Sequence, residues 1–153
     1  MDEQLSLDGG PPATLLLMSL RPVFMAEVRA GEKQFEYRRK YRRGPTRVFI
    51  YENAPVSAVT AMIDFGAPTI ATPEEIAEMA DALRPGHGEA ILEYMSGLEQ
   101  GFVVPIEGWR EVGPIGIEEL RAAHPRFAPP QSYMLLASAP ALCELLLASV
   151  DGA

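Results

Sequence analysis

The sequence is poor in the residues that carry most redox, disulfide and metal chemistry. A single cysteine in 153 residues, Cys143, excludes an intrachain disulfide. The two histidines, His87 and His124, have no partner at ligand spacing, so no zinc pattern and no metal site is expected. No cofactor is expected either. Long hydrophobic runs are missing: stretches such as Ala13 to Leu20 fall far short of a bilayer-spanning helix, and no membrane association is expected. The start, Met1-Asp2-Glu3, has no basic patch ahead of an apolar stretch, so no secretory leader is expected. With the lone Cys143 in a Leu-rich stretch, this points to a reducing, cytoplasmic setting. Internal repeats and low-complexity tracts are absent too. What remains, 48% hydrophobic and 22% charged residues, is ordinary for one folded domain with a real core.

Positive charge is scarce and unevenly spread. The chain carries 13 lysines and arginines against 21 acids, a net charge of −8. Nine of those bases lie between Arg21 and Arg47, beside only Glu27, Glu32 and Glu36, a local balance of +6. The remaining four bases and eighteen acids leave −14 elsewhere. Such asymmetry fits a polyanion met at one surface and repelled at the others. The alternative is a solvated turn whose arginines pair with the abundant carboxylates.

Residues 1–12 are polar and aperiodic and read as a loose tail. Thr14 to Leu20 is a short apolar run expected to be a buried strand. Pro22 suits the first turn of a helix that Gly31 would stop. Lys33 to Arg38 alternates, with Phe35 and Tyr37 on one face and Gln34, Glu36 and Arg38 on the other, which predicts a strand with a polar face. A basic turn (41–45) leads to a strand over Thr46 to Tyr51 and another within Val56 to Phe65. Thr72-Pro73-Glu74-Glu75 has capping-box spacing, and Ile76, Met79, Ala80 and Leu83 follow a helical stripe. After Pro85-Gly86, a second short helix places Ile91, Tyr94, Met95 and Leu98 on one side. Gly101 to Gly113 returns to strand, with Pro105 marking an edge or bulge. Tyr133 to Ala137 is a last strand, and a Leu/Ala-rich helix closes the chain. The expected fold is α+β: a mostly antiparallel, barrel-like sheet over 13–138 with an early helix and a mid-chain helical insertion, and a C-terminal helix (139–153) packed on it.

Ser19-Leu20-Arg21-Pro22 followed by Gly31-Glu32-Lys33-Gln34-Phe35-Glu36-Tyr37-Arg38-Arg39 resembles the opening of ASCH domains, in which a Ser-x-[Lys/Arg]-Pro turn, a helix and a Gly-x-Lys-x-x-Glu-x-Arg strand follow in order. The resemblance continues through Arg47 to Tyr51, Pro55-Val56, Gly101-Phe102 and Pro129-Pro130-Gln131-Ser132-Tyr133. It implies a PUA-like β-barrel with a cleft beside the first helix, and RNA or nucleotide binding. Carried over residue by residue, Lys33, Glu36 and Arg38 would line that cleft, with Arg21 at its rim and Gln131 and Ser132 on a neighbouring strand.

The residues themselves fit such a role. A helix N-terminus after Arg21 offers backbone N–H groups to a phosphate, and Arg21, Lys33 and Arg38 can add charge-assisted bonds. Arg39, Lys40, Arg42 and Arg43 form an adjacent basic turn able to hold further phosphate, while Tyr37, Tyr41 and Tyr51 are candidate stacking surfaces. Structural readings stand beside each of these. Glu36 and Arg38 can simply pair, Tyr37 and Tyr51 can pack inward, and Gln131 can satisfy backbone groups. Some ASCH proteins are amidohydrolases on acetylated cytidine, with a Thr nucleophile three residues after the Lys. This chain has Glu36 there, so the same acyl transfer is not available. Ribonuclease activity is also known in the family. Any catalysis here would fall to Lys33 and Glu36 as an acid/base pair. The leading reading is an RNA- or nucleotide-binding module. A hydrolase is the alternative, and a protein-interaction role through Leu142, Leu145 and Leu146 a second one.

Overall fold

The computed structural model describes residues 13–151; the tail expected over 1–12 lies outside them. Twelve elements follow in order: β1 (Thr14–Leu20), α1 (Pro22–Arg29), β2 (Phe35–Arg38), β3 (Thr46–Glu52), β4 (Ala58–Phe65), β5 (Thr69–Ala71), α2 (Pro73–Leu83), α3 (His87–Tyr94), β6 (Gly101–Gly116), α4 (Ile117–Ala123), β7 (Tyr133–Leu135) and α5 (Pro140–Asp151). The fold is α+β, as the element pattern predicts.

The seven strands form one curled sheet in the order β2-β6-β4-β3-β1-β7, with β5 added against β6. Pairing is antiparallel except between β1 and β3, which run parallel in register from Thr14↔Thr46 to Leu20↔Glu52. The expected barrel is thus a half-barrel: β2 and β7 end the path without pairing to each other. The β6 strand makes the curl possible. Its 16 residues pair with β2 and β5 at one end and with β4 at the other. Register shifts opposite Phe65, next to Pro105, accompany the bend, the irregularity that Pro105 announces.

Continuous apolar runs in β1 and β3 follow from burial on both faces of the sheet. Leu17, Phe49 and Tyr51 point to one side, where they meet Leu120 of α4 and Leu142 and Leu146 of α5. Leu16, Met18, Val48 and Ile50 point to the other, against Met25 and Val28 of α1. Of the three leucines named for a partner contact, Leu142 and Leu146 are fully buried against the protein's own sheet and Leu145 is partly buried.

The helical pair α2–α3 packs on a third, smaller cluster built from Ile76, Ala80, Ile91, Met95 and Val103, with Phe35 and Tyr37 against it. The capping box of α2 is complete: Glu75 N–H donates to Thr72 Oγ1, and Thr72 N–H to Glu75 Oε1. Asp81 of α2 caps α3, accepting from the N–H groups of Gly86 and Gly88 at 3.1 and 2.7 Å. Gly101 leaves room for Met95: a Cβ there would stand 2.5 Å from Met95 Sδ and displace that side chain. Two elements escape the sequence pattern: β5, three residues long, and α4, which has Leu120 as its single buried side chain.

Candidate nucleotide cleft

The open seam of the half-barrel is where the chemistry collects. A cleft of about 870 Å³ lies between α1, β2, the α2–α3 pair and the segment before β7. Of the candidate residues, Arg21, Lys33, Glu36, Arg38 and Gln131 line it together. Strand alternation places Glu36 and Arg38 on one face of β2, as the spacing predicts, and the turn closed by Gly31 (φ 76°) returns Lys33 to the end of α1.

Glu36 is the centre of this group and is buried at 8% exposure, not open on a polar strand face as the alternation suggests. Its Oε1 lies 3.3 Å from Lys33 Nζ, and its Oε2 accepts from Arg38 Nη1 at 3.2 Å. Arg38 Nη2 also donates to the Ser132 carbonyl at 3.2 Å. A side chain therefore ties β2 to β7's approach, where backbone pairing would have closed the barrel. Ser132 enters through that carbonyl and is not part of the cleft lining.

Aromatic rings hold the remaining cations. The Arg21 guanidinium sits 5.3 Å from the Phe24 ring centroid, and Lys33 Nζ lies 5.4 Å from the same ring and 5.6 Å from Tyr37. The start of α1 contributes less than expected. Pro22 has no N–H, and the N–H groups of Phe24 and Met25 both donate to the Arg21 carbonyl. Ser19 adds a buried hydroxyl without a hydrogen-bond partner to the lining.

The basic turn divides. Arg39 donates to the carbonyls of Tyr94 and Ser96 at 2.7 and 3.2 Å, satisfying the C-terminal end of α3. Arg42 is partly buried, while Lys40 and Arg43 are exposed; none of the four lines the cleft. Elsewhere in the basic segment, Arg29 binds Glu52 and Glu111, and Arg47 binds Asp64. The carboxylate-pairing alternative thus describes Arg29 and Arg47, whereas Arg39 is held by backbone carbonyls. Two of the three stacking candidates are core residues: Tyr51 is buried beside Phe127, and Tyr41 packs edge-on to Tyr133 and Phe65. Burial pushes the Tyr41 hydroxyl up to about 12 despite its 2.7 Å hydrogen bond with Thr46. Tyr37 lines the cleft, and burial raises its hydroxyl as well.

Sequence reasoning missed two residues on the opposite wall. Arg84, the last residue of the α2 turn, lies 3.4 Å from Glu27, and Tyr94 of α3 is 44% exposed at the cleft edge. The α3 stripe assigns Tyr94 to the buried side with Ile91 and Met95. In the fold those two fill the cluster and Tyr94 turns to the opening. Among the described residues no group of three or more His, Cys, Asp or Glu side chains is placed to hold a metal, and no helix is long and apolar enough to cross a membrane.

Solved structures share this fold. ASCH from Zymomonas mobilis superposes with a TM-score of 0.72 at 22% identity, over 86% of this chain and 95% of that one. A single-substitution variant of the same protein gives 0.77 at 20% identity, over 91% and 98%. The fold is that of an ASCH domain. The N-terminal domain of Staphylothermus marinus McrB shares it more distantly, with a TM-score of 0.52 at 7% identity over 86% and 94%. No family model and no curated protein matches the sequence. Within the ASCH fold, the cleft lies at the unpaired seam between β2 and β7, and the Ser19-to-Pro22 turn and the Lys33-to-Arg38 strand meet there.

Proposed function

We propose that the cleft of this ASCH-fold protein binds a single nucleotide unit, either free or within single-stranded RNA. The observation that carries this reading is the pairing of unlike walls around one 870 Å³ space. One wall presents Arg21, Lys33 and Arg38; the other presents Leu83, Ala90 and Tyr94, with Phe24, Phe35 and Tyr37 between them. Cations beside aromatic and apolar surface suit a phosphate joined to a flat base. Four cationic side chains face three carboxylates, Glu27, Glu32 and Glu36, so the lining carries about the charge that one phosphate neutralises. It is a poor match for a run of phosphates. Gln131 supplies amide donors and an acceptor to a base edge.

Calorimetric titration with the four nucleoside monophosphates and with a short unstructured RNA tests this. Lys33→Ala and Arg38→Ala are each expected to weaken binding by about tenfold, the loss of one charge-assisted contact. Affinity that survives both substitutions together sinks the proposal. A ligand held by one or two phosphate contacts also shows a shallow salt dependence.

The direct contact of Lys33 with Glu36, both largely buried, supports a second, hydrolytic reading, since such a pair can relay a proton. Product formation from RNA or acylated nucleosides that Glu36→Gln abolishes would favour it; no turnover on either substrate removes it.

A further inference from the structure

The helical pair brings to the cleft a cation with a weak hold on its partner. Arg84 Nη1 meets Glu27 Oε1 at 3.4 Å, across the gap between the end of α2 and the middle of α1. The side chains are 41% and 23% exposed, and Glu27 is the ion-pair partner of Arg84 among the described residues. A long, half-solvated pair of this kind contributes little to stability and is easily exchanged. Contrast Arg39, just after β2, which reaches the Tyr94 carbonyl at the end of α3 at 2.7 Å.

Position makes the exchange useful. Glu27 lies one turn beyond Phe24, the ring that holds Arg21 and Lys33 at 5.3 and 5.4 Å. Arg84 and Glu27 line the same cleft as those cations, and the Arg84 charge reaches Tyr37, the other ring beneath Lys33. A guanidinium carries five N–H donors in a planar fork, and one long bond to Glu27 leaves most of them for an anion.

We propose that Arg84 is an anion clamp of the cleft, held by Glu27 in the free protein and transferred to the phosphate of a bound nucleotide, so that Glu27 competes with the ligand and sets its affinity. This rests on the nucleotide reading given above. It requires a phosphate-bearing ligand: a nucleoside alone cannot take Arg84 from a carboxylate.

The test titrates adenosine 5′-monophosphate and adenosine into the full chain and its variants. Arg84→Gln is expected to lower affinity for the monophosphate about tenfold and to leave adenosine unaffected. Glu27→Gln is expected to raise affinity for the monophosphate about threefold, and that gain should vanish in the Arg84→Gln background. Glu32→Gln makes the same charge change on the same cleft and is expected to give a clearly smaller gain. Should Arg84→Gln fail to fold, Arg84→Lys replaces it, with an expected loss of about threefold. Unchanged affinity on altering Arg84, or a Glu27→Gln gain that persists without Arg84, overturns the clamp. Binding that Lys33→Ala weakens but that ignores Arg84 and Glu27 overturns the clamp alone. If neither the four mononucleotides nor a short unstructured RNA binds to any variant, clamp and nucleotide reading fall together.

Discussion

Among the described residues two buried carboxylates, Glu52 and Glu36, pair with cations in different surroundings. Glu52, at the end of β3, is 3% exposed; it accepts from Arg29 at 2.7 Å and from the Thr60 hydroxyl at 2.5 Å, while Arg29 also reaches Glu111 at 2.8 Å. Glu36 is 8% exposed, but its contacts to Lys33 and Arg38 are 3.3 and 3.2 Å and open onto a cleft. The first set is closed: its groups satisfy each other and lock the last turn of α1 to β3, β4 and β6. In the second set the contacts are longer and both cations line the cleft. Charge in a sequence does not separate these two cases. Bond length and an adjoining cavity do.

The largest expected effect breaks the closed set. Glu52→Ala should cost about 3 kcal/mol in denaturant unfolding, because Arg29 and Thr60 lose a buried acceptor. Glu36→Ala should cost only about 1 kcal/mol, since Lys33 and Arg38 can turn into the cleft. Equal losses would erase the distinction between structural and open clusters. A pH experiment comes next in size. The Tyr41 hydroxyl is raised to about 12 by burial, whereas an unfolded tyrosine titrates near 10. Above pH 10 the unfolded state sheds its proton while the folded state keeps it, so stability is full below pH 10 and falls by about 2 kcal/mol as pH rises toward 12. Tyr41→Phe should remove that alkaline decline, measured by urea unfolding across the range.

At the cleft, Tyr94→Ala should weaken nucleotide binding by about 1 kcal/mol through lost stacking and change unfolding stability by under about 0.5 kcal/mol. A core role for Tyr94 would reverse those two numbers. The smallest effect belongs to the basic turn. Replacing Lys40 and Arg43 together should leave mononucleotide affinity unchanged, and should flatten the logarithmic salt dependence of RNA binding by roughly 1.4 if the turn touches the strand. These two are the informative pair, because Arg39 anchors α3 and its loss would confound the result.

Much of the fold was readable from periodicity. The β1 and β3 runs, the alternation in β2 and the capping box of α2 each belong to patterns that local chemistry sets. The half-open sheet was not, because closure depends on whether β2 meets β7, strands far apart in the chain; in the fold they do not pair, and Arg38 reaches a carbonyl 94 residues away. Within the site, the residues of the Ser19-to-Arg38 stretch were legible since sequence neighbours there are also spatial neighbours. Arg84 and Tyr94 were not. They reach the cleft only because Ile76, Ile91 and Met95 settle on Val103, and a stripe on a helix says which face is buried without saying what lies over its edge. Tyr51 packs inward, as its structural reading has it, while Tyr41 shows the converse error: position beside a basic strand says little about which way a ring points.

The third packing cluster has a kinetic meaning. The α2–α3 pair buries its apolar face in a set of residues separate from the two sheet cores. Such a unit can detach with its neighbours still folded, so its amides should exchange with solvent through a partial opening, below the free energy of complete unfolding. One wall of the cleft belongs to that unit and the other to the sheet. A molecule gripped by both walls closes the partial opening and adds its binding energy to it. Hydrogen–deuterium exchange over residues 73–94 would then register an occupant as slowed exchange, even for a ligand that moves no atom of the sheet.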